Sequence, residues 1–437
     1  MYIAHFAVHG LLRFSDPQLG IDPDTGGVID YVLRLSEALA RTEGIQRVDV
    51  FTRRIEDSRV ANSYAEHIEP IAKGANIIRL DFGPKGYILK NILWSYLDEC
   101  AERAITFFKT QKVLPDMLHA HYADSAYVCD KISTELNIPY VFSVHALGKA
   151  KYRAMIEAGH DADTLDKELN IRRRIYAEEE AFKRAKAYIA SSEEEVKSHF
   201  SLYDYQLDRC HLIYPGYNDH AFCAQGDAYP DLRWASFFSD AHKPILINVS
   251  RPDRTKNVES LIKIFAENAG LRSRCNLAIY MGQRDDIDSL EAPRQAFYNR
   301  ILHLIDRYDL YGSIAYPKTN KREDIPAYYR YIAKHNGLYI NSALSEPFGI
   351  GILEAIACGL PVVSHNSGGV TGIVTNCDSG YIANIGDESA FAEQILNLLD
   401  DSATRHRMSD VGARKAVQHY SWDVHAKKYS QLASGLL

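Results

Sequence analysis

The chain has 437 residues, of which 46% are hydrophobic and 24% are charged, so it excludes wholesale disorder and is long enough for two domains. Its 50 basic and 57 acidic side chains give a formal net charge of −7, which argues against a general nucleic-acid binder because such proteins neutralise many phosphates. A small anionic ligand in one locally basic cleft remains compatible with this charge.

Cysteine usage and hydropathy bear on location. The seven cysteines are scattered and form no C-x-x-C pair, which favours reduced thiols in a cytoplasmic protein. The N-terminal segment lacks the features of a signal peptide, and no apolar run approaches the roughly 18 residues of a membrane span. We therefore expect a cytoplasmic protein without a membrane partner.

Strand and helix patterns alternate through the first half of the chain. A strand at 2–8 precedes a loop rich in Gly, Asp and Pro, and an apolar stripe of helical spacing starts at Val28. Further strands are predicted at 48–52, 77–80, 117–120, 140–144, 187–190 and 211–214. This alternation favours a parallel sheet with helices on both faces.

The same alternation restarts after a turn at residues 214–217. Strands are predicted at 245–249, 277–281, 313–316, 337–340 and 361–364. The sequence thus predicts an α/β fold of two doubly wound domains, 1–216 and 217–420, with a terminal segment at 421–437. Folds of this type bind ligands in the cleft outside the carboxyl ends of the strands.

Three motifs suggest a site for a phosphorylated ligand. Gly26 and Gly27 lead into a helix, where free N–H groups favour anions, although an ordinary helix cap has the same pattern. Arg251 and Lys256 follow a predicted strand and suit a diphosphate, although a solvated turn is the alternative. Glu346 lies in a loop, and Glu354 lies in an apolar helical run that disfavours a casual glutamate.

Histidines and a second group of cations form the remaining candidates. His145 follows a strand and is interpreted as a cleft residue, whereas His119 and His121 show no third ligand at metal-like spacing, so we expect no metal. Lys90, Lys151 and the run 172–174 form a candidate anion site. At most two of these three arginines can converge, since consecutive helical residues point about 100° apart.

Together these residues resemble the retaining nucleotide-sugar glycosyltransferases of GT-B architecture. Their donor-site signature combines R-x4-K with E-x7-E, here Arg251, Lys256, Glu346 and Glu354. Over most of the chain the closer resemblance is to sucrose-phosphate synthases, carried by stretches such as DPDTGG, HAHYADSAYV, SVHALGKAK, RRRIYAEEEAF, RDDID and YDLYGSIAYPK.

The resemblance implies transfer of glucose from a nucleoside diphosphate, with UDP-glucose expected, to fructose 6-phosphate with retained anomeric configuration. It also implies that the site uses no metal and no cofactor, and that the terminal helix packs back on the first domain. No phosphatase module is recognised, so the product phosphatase is expected to be a separate chain.

The resemblance assigns a role to each candidate residue. Arg251 and Lys256 would hold the diphosphate, Glu354 the ribose and Glu346 the transferred sugar. Further residues would contact the two substrates: His145, Gly27, Phe348, Gly349 and Ile350 on the donor side, and Gly26, Gly27, Lys90, Lys151, Arg173 and Arg174 around the acceptor.

Two features leave the acceptor open. Val28 stands where these synthases have glutamine after the paired glycines. Lys149 is an additional lysine, and the resemblance assigns no role to it. A mannosylfructose-phosphate synthase or a sucrose synthase is therefore an alternative, although sucrose synthase lacks the arginine cluster. An inactive binding protein on the same fold is the remaining possibility.

Overall fold

The computed structural model describes residues 1–16, 24–227, 232–346 and 348–437. The chain divides into two compact units, Met1–Gly216 with Trp422–Leu437, and Tyr217–Ser421. The predicted boundary between 216 and 217 falls at this division. Ser421 belongs to the second unit, not to the terminal segment, because it forms a parallel bridge with Tyr217.

The first unit contains an eight-stranded sheet. Its strands are β1 Tyr2–Phe6, β2 Arg47–Arg53, β3 Ile68–Ala72, β4 Ala75–Leu80, β5 Met117–His121, β6 Tyr140–Ser143, β7 Ala187–Ala190 and β8 Cys210–Leu212. They lie in the order β3-β4-β2-β1-β5-β6-β7-β8, with β3 antiparallel to β4 and the other pairs parallel.

Helices cover both faces of this sheet. They are α1 Gly27–Ala40, α2 Lys90–Leu93, α3 Leu97–Gln111, α4 Tyr122–Leu136, α5 Gly148–Glu157, α6 Ala162–Leu169, α7 Ile171–Arg184 and α8 Glu193–Ser198. Because both faces are covered, β1 and β5 are buried along their whole length. The apolar side chains form one cluster on each side of the sheet.

The second unit contains a parallel six-stranded sheet. Its strands are β9 Ile245–Val249, β10 Asn276–Tyr280, β11 Ile314–Ala315, β12 Leu338–Asn341, β13 Val362–His365 and β14 Gly380–Ala383. The order is β11-β10-β9-β12-β13-β14.

The helices of the second unit alternate with these strands. They are α9 Val258–Glu267, α10 Ala269–Arg274, α11 Ala292–Arg307, α12 Ile325–Lys334, α13 Ile350–Ala357, α14 Val370–Cys377, α15 Glu388–Asp400 and α16 Ser402–Tyr420. The last helix, α17 Trp422–Leu436, belongs to the first unit, where Tyr429 packs in the same apolar cluster as Val32 of α1.

The prediction of two doubly wound α/β domains is confirmed. The structure adds two edge strands that the sequence pattern does not predict. β3 contains Pro70, which interrupts a strand pattern but is tolerated at a sheet edge. β14 begins at Gly380 and is only half-buried, so it lacks the apolar run that marks the central strands.

In each sheet the strand order reverses at one point. The first sheet reverses at β1 and β5, and the second at β9 and β12. Loops that leave the carboxyl ends of such neighbouring strands diverge and leave room for a ligand. Of the candidate residues, Gly26 and Gly27 follow β1, Arg251 and Lys256 follow β9, and Glu346 follows β12.

Candidate functional site

The candidate donor residues of the second unit lie in two loops that are fastened together. The loop after β9 carries Lys256, and the loop after β12 carries Glu346. The N–H of Leu344 donates to the carbonyl of Thr255 at 2.9 Å, and the hydroxyl of Ser342 donates to the carbonyl of Lys256 at 2.8 Å. These bonds hold the two loops in one arrangement.

Lys256 and Glu346 form an ion pair at the centre of this site. Nζ of Lys256 donates to Oε2 of Glu346 at 2.6 Å, and the two side chains are 14% and 22% exposed. The carbonyl of Glu346 accepts a hydrogen bond from the N–H of Gly369 at 3.1 Å. A fixed ammonium and a fixed carboxylate therefore stand side by side, and both are reachable from solvent.

Arg251 is more exposed and more weakly paired than Lys256. Its side chain is 82% exposed, and its ion pair with Asp253 spans 3.7 Å. A guanidinium held this loosely can turn toward an anion at little cost. Arg251 is thus an exposed and weakly paired cation in the same loop as the fixed Lys256.

Glu354 is buried on α13, where its Oε1 accepts a hydrogen bond from Nη2 of Arg322 at 3.2 Å. Tyr339 of β12 is also buried and donates to the carbonyl of Val249 at 3.2 Å. Burial raises the pKa of Tyr339, and the carboxylates of Glu346 and Glu354 raise it further. Tyr339 therefore stays a neutral donor close to both glutamates.

The start of α13 depends on Gly349. Its φ of +102° lies in the left-handed region, and a Cβ there would come within 3.2 Å of Cγ2 of Val370. Its carbonyl accepts hydrogen bonds from the N–H groups of Ile352 and Leu353, each at 3.1 Å. Phe348 and Ile350 flank it and are partly exposed, whereas Pro347 lies outside the described residues.

In the first unit, His145 occupies a strained turn after β6. Its φ is +57°, and the N–H of Ala146 donates across it to the carbonyl of Val144 at 2.6 Å. Such a conformation costs on the order of 1–3 kcal/mol, and residues strained in this way are frequent at functional sites. Burial lowers the pKa of His145 to about 3, helped by His9 and His425, so the imidazole is neutral.

The paired glycines lie at the start of α1, as the sequence predicts, with Gly26 as its N-cap and Gly27 as its first residue. A Cβ at Gly26 or Gly27 would meet nothing within 4 Å, so a ligand can approach this backbone. The carbonyl of Gly26 accepts from the N–H of Ile29 at 3.0 Å and begins the helix. Val28 packs at the edge of an apolar cluster.

Three of the predicted acceptor cations lie close together. Burial lowers the pKa of Lys151, and the charges of Arg174 and Lys90 lower it further. Tyr122 contacts both of the other cations, with the guanidinium of Arg174 4.4 Å and Nζ of Lys90 5.6 Å from its ring centroid. Two cations next to a partly buried lysine attract an anion, because an anion would offset the charge repulsion that Lys151 experiences.

Two carboxylates already engage this cation cluster. Oδ1 of Asp24 lies 2.8 Å from Nζ of Lys90, and Oδ2 accepts from the N–H of Lys90 at 2.8 Å. Arg174 is buried and donates to Oε1 of Glu178 and to the carbonyl of Ala146, both at 2.9 Å. Arg174 therefore also supports the loop that follows His145.

Arg173 and Lys149 point elsewhere. Arg173 is exposed, and its charge does not contribute to the lowered pKa of Lys151. It acts on Asp98 instead, whose pKa is lowered by a hydrogen bond from Lys131 and more weakly by the charge of Arg173. Nζ of Lys149 lies 2.8 Å from Glu179 and donates to the carbonyl of Leu202 at 3.2 Å. Lys149, whose role the sequence leaves open, thus stabilises the surrounding fold.

Three residues near the two sites are not predicted from the sequence. Arg322 lies in a polar loop without a motif, and Tyr339 has the pattern of an ordinary buried strand residue. The search for a third ligand beside His119 and His121 also missed His5, which pairs with His119 across β1 and β5. Ligand atoms of these three histidines lie within 4.8 Å of one another.

Comparison with known proteins defines the class. The family model of Glycosyltransferase Family 4 matches residues 25–220, and that of Glycosyl transferases group 1 matches residues 234–415. Glycosyltransferase family models thus match both halves of the chain. The HepE structure from Anabaena in complex with UDP and glucose has the same fold, with a TM-score of 0.65, 16% identity and 99% coverage of each chain.

Within this class the chain is similar to sucrose-phosphate synthases. It is 35% identical to the probable sucrose-phosphate synthase 3 of Arabidopsis thaliana over 91% of this chain and 44% of that protein. The chain thus spans less than half the length of that relative. The sucrose-phosphate synthase structure from Thermosynechococcus elongatus has a TM-score of 0.72 and 25% identity, with 99% and 98% of the two chains covered.

No helix among the described residues is long and apolar enough to cross a membrane.

Proposed function

We propose that this glycosyltransferase moves a glucosyl unit from UDP-glucose to fructose 6-phosphate with retention of configuration, forming sucrose 6-phosphate. The observation that carries the proposal is the Lys256–Glu346 pair, with Nζ and Oε2 2.6 Å apart, in the unit that matches the group 1 glycosyltransferases. The similarity to sucrose-phosphate synthases over 91% of the chain supports the substrate pair.

In the proposed donor site, the cations stabilise the negative charge of the diphosphate leaving group. Lys256 and Arg251 neutralise the diphosphate as the bond between it and the anomeric carbon breaks. Such preorganised charges stabilise the transition state more than the ground state. Glu354 accepts from the ribose hydroxyls, and binding of the ribose displaces the exposed Arg322 from its carboxylate.

The chemical step needs no covalent enzyme intermediate. The acceptor hydroxyl attacks the anomeric carbon from the side that the diphosphate leaves, and its proton passes to an oxygen of that diphosphate. Glu346 accepts from hydroxyls of the transferred sugar, and His145 contacts the same sugar. Backbone N–H groups from Phe348 to Ile350 contribute further donors.

The acceptor phosphate is assigned to the cation cluster of the first unit. Lys90 and Arg174 lie over the ring of Tyr122 and both lower the pKa of Lys151, so a phosphate bound there would raise that pKa. The phosphate must compete with Asp24 for Lys90, so binding exchanges one anion for another. Gly26 and Gly27 expose backbone N–H groups, whereas the exposed Arg173 needs a rotamer change to join.

A different acceptor or donor sugar is the second candidate, and Val28 supports it. Its side chain packs at the edge of an apolar cluster and cannot hydrogen-bond a sugar. The experiment therefore also includes the substrates of the two alternatives, a mannosylfructose-phosphate synthase and a sucrose synthase. The cytoplasmic location, the lack of a metal or cofactor and the separate phosphatase also stay predictions.

A product assay tests the proposal directly. UDP-, ADP- and GDP-glucose and GDP-mannose are each incubated with fructose 6-phosphate and with fructose, and products are identified by mass spectrometry and NMR. We expect a phosphorylated, α-linked disaccharide from UDP-glucose and fructose 6-phosphate. Absence of a phosphorylated disaccharide in every pairing would overturn the proposal, and a product from GDP-mannose alone would reassign it to the second candidate.

A further inference from the structure

A chain of three imidazoles connects His145 to the interior of the first sheet. Nε2 of His145 lies 3.0 Å from Nδ1 of His121, and Nε2 of His121 lies 2.8 Å from Nδ1 of His5. Strand register produces the chain, because His5 pairs with His119 and His121 follows two residues later on the same face of β5. The rings are therefore ordered by the sheet itself.

All three imidazoles are neutral near pH 7. Burial lowers the pKa of His5 and of His145 to about 3, and it holds the pKa of His121 well below its ordinary value. A neutral imidazole carries one N–H and one bare nitrogen. Each ring in the chain therefore donates on one side and accepts on the other.

Neutrality leaves only two proton arrangements for the whole chain. If His121 carries its proton on Nδ1, it donates to His145, and His5 must donate to His121. His145 then holds its proton on Nδ1. If His121 carries its proton on Nε2, every donor reverses, so that His5 is protonated on Nε2 and His145 presents a bare Nδ1.

The inner end of the chain selects between these arrangements. Nε2 of His5 is buried and has no hydrogen-bond partner among the described residues. A buried N–H without an acceptor is tolerated less often than an acceptor without a donor. Nε2 of His5 is therefore the bare nitrogen, and its proton lies on Nδ1.

We propose that His5 and His121 are positioning residues that hold His145 as the Nδ1–H tautomer, so that His145 offers a hydrogen-bond donor to an oxygen of its ligand. In the described part of the chain, Nδ1 of His145 makes no hydrogen bond with a protein group. Identification of that ligand as the transferred sugar rests on the proposed function, but the tautomer does not. His5 acts through two rings and touches no substrate.

A metal centre at the same histidines is disfavoured by the distances. Two nitrogens bound to one tetrahedral zinc lie about 3.3 Å apart. Nδ1 of His5 and Nε2 of His121 are 2.8 Å apart, which is a hydrogen-bond distance, and the other nitrogen of His121 is bonded to His145. The rings are thus arranged to share protons.

Nitrogen NMR reads the tautomer without any substrate. The full chain is labelled with ¹⁵N-histidine, and two-bond couplings between ring protons and nitrogens are recorded near pH 7, with His145→Asn used to assign the signals. We expect the Nδ1–H pattern for His145. An Nε2–H pattern or an imidazolium would overturn the proposal, as would stoichiometric zinc in the purified protein.

A pair of variants at His5 tests the positioning role. His5→Leu removes the inner donor, whereas His5→Asn places an amide N–H near the position of Nδ1. We expect the His145 signal to become a mixture of tautomers and kcat to fall about ten-fold in His5→Leu, the effect of one hydrogen bond. His5→Asn should restore both the single tautomer and the rate.

The outcomes separate the two claims. Unchanged His145 signals and kcat in a folded His5→Leu variant would overturn the positioning role. If that variant fails to fold, the spectrum of the unsubstituted protein still decides the tautomer. An Nδ1–H tautomer in a protein that transfers no sugar would contradict the proposed function alone.

Discussion

The two candidate sites use charge in different ways. In the second unit, Nζ of Lys256 and Oε2 of Glu346 are 2.6 Å apart and both side chains are partly exposed. A ligand can therefore contact both groups without a rearrangement of the fold. In the first unit, Lys90 and Arg174 lie over the ring of Tyr122, and Arg174 is paired with the buried Glu178. The site of the second unit therefore presents charged groups that a ligand can reach directly. The site of the first unit depends on a framework of buried polar side chains, which includes Arg174 and Glu178.

The largest expected effect comes from removing the fixed cation of the second unit. Lys256→Ala should lower kcat/KM for transfer about 10³-fold, because the leaving diphosphate loses its preorganised charge. Arg254→Ala is the matched control, since Arg254 is an exposed cation in the same loop. Steady-state kinetics of both variants provide the measurement. Equal rates in Lys256→Ala and the control would remove Lys256 from the site.

Acid should weaken the framework of the first unit. Burial lowers the pKa of His5 and of His145 to about 3 and that of His425 to about 4, whereas unfolded histidines titrate near 6.5. Their stabilisation is complete above about pH 6.5 and is lost as the pH falls toward these folded values, because the unfolded chain binds protons first.

The expected loss is about 1 kcal/mol per histidine per pH unit below about 6.5. Urea unfolding at pH 7.5 and 5.5 measures it. His5→Leu serves as the comparison, since that variant should show a shallower dependence on pH. Equal unfolding free energies at the two pH values in the unsubstituted protein would contradict the neutral, buried state of these histidines.

Breaking a buried ion pair should also destabilise the first unit. Glu178→Ala leaves the guanidinium of Arg174 without its partner in the interior, and such a loss costs about 3 kcal/mol or more. Glu180→Ala is the control, because its pair with Lys183 lies near the surface and contributes less than about 1 kcal/mol. Urea unfolding should separate the two variants. Identical midpoints would show that the framework does not depend on Glu178.

The smallest expected effect concerns the acceptor alone. Lys151→Met should raise the KM for fructose 6-phosphate about ten-fold through loss of one charged hydrogen bond, with the KM for the donor unchanged. Lys167→Met removes an exposed lysine of α6 and should leave both constants unchanged. If Lys151→Met raised the donor KM instead, the phosphate would have to bind elsewhere.

The same contrast explains what the sequence could predict. Arg251 and Lys256 lie in one short motif, and Glu346 and Glu354 lie in another, so a local pattern is enough to identify each of these residues. The alternation of strands and helices likewise predicts both sheets, apart from two edge strands. These features depend on local pattern and need no tertiary information.

Other features depend on register and on buried partners. His5 meets His119 only because β1 pairs with β5 in one register. Arg322 reaches Glu354, and Lys149 turns to Glu179, across distances that spacing along the chain does not encode. The convergence of Lys151 with Arg174, and the exposure of Arg173, follow from how the helices rotate on the sheet.

The central claim is that a sugar phosphate is the acceptor, and one competition measures it. The rates of α-linked product formation from UDP-glucose are compared with fructose 6-phosphate and with fructose under the same conditions. The cation cluster predicts that kcat/KM for fructose 6-phosphate exceeds that for fructose at least about a hundredfold, the effect of one or two charged hydrogen bonds. Equal values for the two acceptors would contradict the account.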